Sequence, residues 1–143
     1  MRRNQGFSLL ELLIVVAIIL IIATIAIPSL LRSRQAANES SAVANLRNLN
    51  SAQVTYSSTA GFYGSMSQLI AARIIDDRYT SGNFSGFQYS MGLYASNQGY
   101  TAVATAVSTN SARFDYYSTP DFVVRYSTVA SRAPAGKTGQ PVQ

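Results

Sequence analysis

The chain of 143 residues has no cysteine, no histidine and no tryptophan, and only 12% of its residues are charged. Without cysteine there is no disulfide framework and no thiolate metal site; without histidine the usual general base and the commonest metal ligand are gone. A P-loop, a GxSxG elbow and a nucleophile beside a base are missing as well, so the chain is expected not to be an enzyme and to need no cofactor. Acids are scarce, six against eleven lysines and arginines, giving a formal net charge of +5. That excess permits weak contact with anionic surfaces and points to no specific nucleic acid. Helix breakers are sparse too: between Gly6 and Gly61 there is no glycine, and Pro28 is the single proline before Pro120.

What the sequence has in abundance is aliphatic side chains near its start. From Leu12 to Ile27 the one polar residue is Thr24, and no charge appears before Arg32. A bilayer core of about 30 Å is crossed by about 20 helical residues, so the segment 7–28 is long enough to span it. Arg2 and Arg3 precede the run with no acid among the first six residues, which favours a cytoplasmic start with the remainder outside. An ordinary secretory signal, with its apolar stretch of about 7 to 15 residues and small-residue cleavage site, fits poorly. Glu11 stands out because a carboxylate inside lipid costs about 2.5–3.5 kcal/mol on insertion scales. It either snorkels to the headgroups or needs a cation at its own depth. Cleavage after Gly6 would create one, an α-amino group on Phe7.

The run Gly6-Phe7-Ser8-Leu9-Leu10-Glu11-Leu12-Leu13-Ile14-Val15-Val16-Ala17-Ile18-Ile19, continuing to Ala26-Ile27-Pro28, resembles the class III signal of type IV pilins and pseudopilins. The resemblance implies a leader at 1–6, cut between Gly6 and Phe7 by a prepilin peptidase that also N-methylates Phe7. Loss of Arg2 and Arg3 then lowers the net charge of +5 by two. It further implies a transmembrane and assembly helix at 7–28, lodged in membrane lipid before assembly. Glu11 would there meet the Phe7 amine of a neighbouring copy as the inner-membrane assembly machinery adds it to a homopolymer. Many major pilins have a glycine in mid-run where this chain has Leu20, so Pro28 is left as the one point able to loosen the helix. Two readings of the same N-terminus stay open, a type II secretion pseudopilin and a minor pilin. A membrane-anchored binding domain is the rival from another class.

Beyond Pro28 the helix is expected to continue through 29–60, with Arg32 and Arg34 where it leaves the lipid. Val43, Leu46, Leu49 and Val54, edged by Ala42 and Tyr56, share one side of a 3.6-residue helix, interrupted by Asn50 and Gln53. In the head, 61–130, Ser65 and Gln68 make a capping-box pattern ahead of Met66, Leu69, Ile70 and Ile74. Period-two alternation then marks four strands: Phe87 to Met91, Tyr100 to Val107, Arg113 to Tyr117 and Phe122 to Tyr126. Short separators make them antiparallel neighbours. The expected class is α+β, a long N-terminal α-helix packed on a small four-stranded antiparallel sheet, in agreement with the pilin fold that the resemblance implies. The stretch 131–143 is poor in large apolar residues and reads as a flexible tail. Asp76, Asp77 and Asp121 are the acids best placed for calcium, yet their spacing is not diagnostic and solvated carboxylates are the plainer reading. The nine tyrosines and six phenylalanines read as sheet core and surface.

Overall fold

The computed structural model describes residues 7–127 and 139–142. The leader at 1–6, the end of the expected head at 128–130, and 131–138 with Gln143 of the expected tail lie outside the described residues. The elements run α1 (Leu9–Ala60), α2 (Met66–Ala71), a 3-10 turn (Asp77–Thr80), then strands β1 (Asn83–Phe84), β2 (Phe87–Tyr94), β3 (Gly99–Ala106), β4 (Tyr116–Ser118), β5 (Val124–Tyr126) and β6 (Gln140–Pro141). The chain divides into two compact units, the first ending at Ser33 and the second beginning at Arg34.

In the first unit α1 is apolar on every side, and its side chains stay exposed, from Leu9 at 81% to Leu30 at 71%. Pro28 lies inside the helix without ending it. Lacking an N–H, it leaves the Thr24 carbonyl without its i+4 donor, a local weakness in an otherwise continuous ladder. Thr24 Oγ1 donates to the Ile21 carbonyl at 2.7 Å, one turn earlier.

The second unit is α+β. Its sheet is a simple antiparallel meander, β1-β2-β3-β4-β5-β6. It holds six strands where four were expected, because two-residue strands leave no alternation to read. β1 pairs Phe84 with Phe87, and β6 pairs Gln140 with Tyr126. The last described residues are therefore tied to the sheet edge, and Val142 N–H donates to the Val124 carbonyl at 2.8 Å. The inward face of β3 is Tyr100, Ala102, Ala104 and Ala106; these, with Phe87 and Tyr89 of β2, share one core with Ala42, Leu46 and Leu49 of α1. Each large side chain fully removed from water here contributes about 1.5–3 kcal/mol.

Two strands start later than their alternation suggests. β4 begins at Tyr116 because Asp115 turns its carboxylate onto the ladder: Oδ1 accepts the Ala106 N–H at 2.7 Å, taking a donor that a longer strand would have used. β5 begins at Val124 because the turn Thr119-Pro120-Asp121-Phe122 holds Phe122 at φ +63 and closes with Phe122 N–H on the Thr119 carbonyl at 2.8 Å. The capping box at α2 forms as its sequence indicates: Ser65 Oγ accepts the Gln68 N–H, and Gln68 Oε1 accepts the Ser65 N–H.

Candidate functional site

At the head of α1 Phe7 is 80% exposed, and Glu11 sits in the first turn. Its Oε2 accepts the Ser8 backbone N–H at 3.1 Å, while Leu12 N–H donates to the Ser8 carbonyl at 3.2 Å. Ser8-Leu9-Leu10-Glu11 is thus half of a capping box, with a carboxylate at the positive end of the helix dipole. The carboxylate has a local partner within its own chain, one that the sequence reading did not foresee although the S-x-x-E spacing carried the signal. Gly6 lies outside the described residues. Pro28 is at the far end of the apolar segment, and the structure brings it and Glu11 into no common site. No part of the most apolar stretch of α1 is buried within the chain, and it is long and apolar enough to cross a membrane. A helix hydrophobic all round needs lipid or other protein as its surroundings.

Residues 1–27 match the family model of the prokaryotic N-terminal methylation motif. The chain is 46% identical over 61 residues to the type IV major pilin protein PilA of Myxococcus xanthus, an alignment covering 43% of this chain and 28% of that relative. It is also 46% identical over 56 residues to the type IV wide pilus major component PilA4 of Thermus thermophilus, covering 39% of this chain and 43% of that protein. The N-terminus of the chain is similar to those of type IV pilins. The likeness spans less than half the length of either relative, and the family model reaches only to Ile27. The α+β head, an apolar-started helix on an antiparallel sheet, is consistent with the pilin fold.

In the second unit, the polar residues of α1 do work that alternation of apolar residues conceals. Val54, grouped with the apolar side from its spacing, is 49% exposed, whereas Gln53 beside it is fully buried. Gln53 grips Gly64 twice, Nε2 on its carbonyl at 2.6 Å and Oε1 under its N–H at 2.9 Å. A Cβ on Gly64 would stand 2.9 Å from the Tyr56 ring, so this close approach requires glycine. Asn50 accepts the Tyr100 hydroxyl at 2.9 Å and donates to the Phe122 carbonyl at 3.3 Å. Glu39 accepts the Arg113 N–H at 2.7 Å and pairs with its guanidinium at 2.8 Å. Asn45 meets Tyr89, Tyr79 and Arg78. Each of these residues pins a different loop or strand to the helix, so they function as the head's anchors.

Two of the three candidate calcium acids, Asp76 and Asp121, are occupied otherwise. Asp76 Oδ1 accepts the Arg78 N–H at 2.8 Å and caps the 3-10 turn. Asp121 pairs with Arg125 at 2.6 Å and accepts from the Thr119 hydroxyl and the Val123 N–H. Among the described residues no group of three or more acids gathers as a metal site. The hydrogen-bonded Arg125 guanidinium, opposed in part by desolvation, holds the Asp121 carboxyl down at about 2. A carboxyl with its folded pKa lowered adds stability above its unfolded value of about 3.9 and loses it as pH falls through 2. The side chains are 14% and 21% exposed, so screening trims the contribution to about 1–2 kcal/mol. The thermal midpoint of Asp121→Asn should therefore lie below the parent's near neutral pH, with the gap closing by about pH 2. A gap that persists unchanged across that range contradicts the assignment.

Burial pushes several tyrosine hydroxyls upward, Tyr116 to about 12 and Tyr79, Tyr89 and Tyr100 in the same direction. Tyr100 meets the Tyr63 ring at 4.9 Å, and the other phenols sit in a chain of ring contacts. Phe84 stacks on Tyr89 at 4.4 Å, Phe87 meets Tyr116 edge-on at 5.9 Å, and Tyr126 lies 5.0 Å from Phe114. Such contacts are the sheet-core role expected of them.

Proposed function

We propose that this protein is a structural subunit of a type IV pilus. It is made as a prepilin, cut between Gly6 and Phe7, N-methylated on Phe7, held in the inner membrane by residues 7–28, and polymerised with copies of itself into an extracellular helical filament. The observation that carries this reading is the wholly uncovered apolar half of α1, headed by the methylation motif. Water cannot solvate such a helix cheaply, and its lipid surroundings can be exchanged for identical helices. In this reading the chain acts by assembly, with prepilin peptidase and the membrane assembly machinery as partners.

Glu11 sets the register. In lipid its carboxylate has the Ser8 N–H as its partner among the described residues; beside the Phe7 amine of a neighbour it gains a charge partner, and a mispositioned subunit buries both charges unpaired. Pro28 marks where the assembled helix can give.

Mass spectrometry of the protein from its host tests the reading. The expected species begins at N-methyl-Phe7, and electron microscopy of sheared surface material shows thin fibres containing it. A chain that keeps Met1, or one that begins near Ile27, overturns it.

A further inference from the structure

The exposed ridge of α1 in the head, through Arg47, Asn48, Ser51 and Val54, has a cleft on each flank. One, of 310 Å³, is lined by Arg47, Asn50, Ser51, Val54 and Phe122. The other, of 360 Å³, shares Ser51 and includes Thr55, Ile74, Ile75, Asp76 and Arg78 in its lining. The two flanks are opposite in character. On the first, Phe122 and Val54 stand out into solvent, 45% and 49% exposed, beside Arg47, which has no ionic partner among the described residues. On the second, Ile74 and Ile75 recede, half-buried, beside Asp76 and its neighbour Asp77, neither in an ion pair among the described residues. Arg78, the cation of that cleft, is exposed but engaged, its guanidinium 4.7 Å from the Phe84 ring and bonded to Asn45; Arg73 is not part of the lining.

Phe122 is not displayed by slackness. A phenylalanine at positive φ is a steric outlier, retained only where the surroundings over-determine it. Here the Thr119 carbonyl, the Asp121 carboxylate with its Arg125 clamp, and Asn50 all fix the turn. The fold thus spends strain to hold a large apolar ring in water, next to Arg47, while a cleft that presents Ile74, Ile75 and Asp76 lies on the other side of the same helix.

We propose that these flanks are the two halves of one contact between copies of this chain: Phe122 and Arg47 of one copy seat against Ile74, Ile75 and the Asp76–Asp77 pair of the next. Knob and cleft belong to different surfaces, so the contact is heterologous and adds copies in one direction, as an open helical polymer requires. The proposal rests on the pilus reading and names a head-to-head contact within that polymer, separate from the membrane helices.

The absence of native cysteine makes a direct test clean. Phe122→Cys and Ile74→Cys are placed in the full chain in its host, and sheared filaments are oxidised and run without reductant. The two positions flank a helix about 10 Å wide, beyond the reach of an intrachain disulfide. The doubly substituted chain should give a ladder of covalent multimers, and each singly substituted chain only monomer. Independently, Arg47→Glu should lower filament yield at least about tenfold, with Asp77→Arg in the same chain restoring it. Filaments of the double-cysteine chain with no ladder, or Arg47→Glu assembling as well as the parent, overturns the contact while leaving the pilus reading intact. Failure of the parent chain to form any filament overturns the pilus reading itself.

Discussion

Glu11→Ala should leave membrane insertion and N-terminal processing at parental levels while filament yield falls at least about tenfold, equivalent to ~1.4 kcal/mol or more of lost assembly free energy. Removing a carboxylate from an apolar segment makes the unassembled helix more comfortable in lipid, not less, so the subunit pool is maintained. On the proposed reading, what disappears is the penalty for wrong register: without a charge at position 11 the Phe7 amine would have no fixed partner, and a buried ammonium left alone costs several kcal/mol. The structure adds a control, because Glu11 has a second, local job on the Ser8 N–H. Glu11→Gln keeps an oxygen that accepts this bond and loses the charge. If Glu11→Gln assembles like the parent, hydrogen bonding at the helix start explains the residue and charge pairing does not. If it fails as Glu11→Ala does, with processed subunit still present, pairing is the operative role. Quantitative immunoblotting of sheared and cell-bound fractions separates yield from supply.

The properties of this chain that a sequence can show are those set by local pattern. The long helix was legible because nothing between Gly6 and Gly61 breaks it except Pro28, and α1 indeed runs from Leu9 to Ala60 through that proline. The two long strands, β2 and β3, were legible from alternation, and the α2 cap from Ser65 and Gln68. Non-local chemistry was not. Asp115 ends up shortening β4 by capturing the Ala106 N–H nine residues away, an event that no window of alternation records. Asn50 and Gln53 looked like interruptions of an apolar face. They are its anchors, since their partners at Tyr100, Phe122 and Gly64 come from loops and strands that only folding brings near. Val54 was misplaced for the same reason, because one residue of helix rotation decides which of two neighbours points inward. Of the candidate site, the motif and Glu11 were legible and the Ser8 bond was written in the spacing. The Phe122 turn was not, because a positive φ at phenylalanine opposes every local preference.

Asn45→Leu is expected to cost the head about 3 kcal/mol. Asn45 is 5% exposed and stands where four groups converge. Its Nδ2 donates to the Tyr89 hydroxyl at 3.0 Å and to Ser41 Oγ at 3.3 Å, and its Oδ1 accepts from the Tyr79 hydroxyl and from Arg78 Nη2, both at 3.3 Å. Leucine has a similar size and gains a little from burial, yet it returns no bond. Two buried hydroxyls are then left unsatisfied, at about 1–3 kcal/mol each, while Arg78, being exposed, recovers water. Helix, 3-10 turn and β2 are all joined through this one side chain, so the loss is felt by the whole unit and not by one loop. For a domain near this size each kcal/mol shifts the thermal midpoint by several degrees, and a fall of more than about 10 °C follows. Asn45→Asp is the discriminating partner variant: it keeps the acceptor for Tyr79 and Arg78, forfeits the donor to Tyr89, and should lose less than half as much near neutral pH. Circular dichroism of the full chain in detergent reads both. A midpoint for Asn45→Leu within about 2 °C of the parent would show that packing alone joins these elements and that the polar hub is incidental.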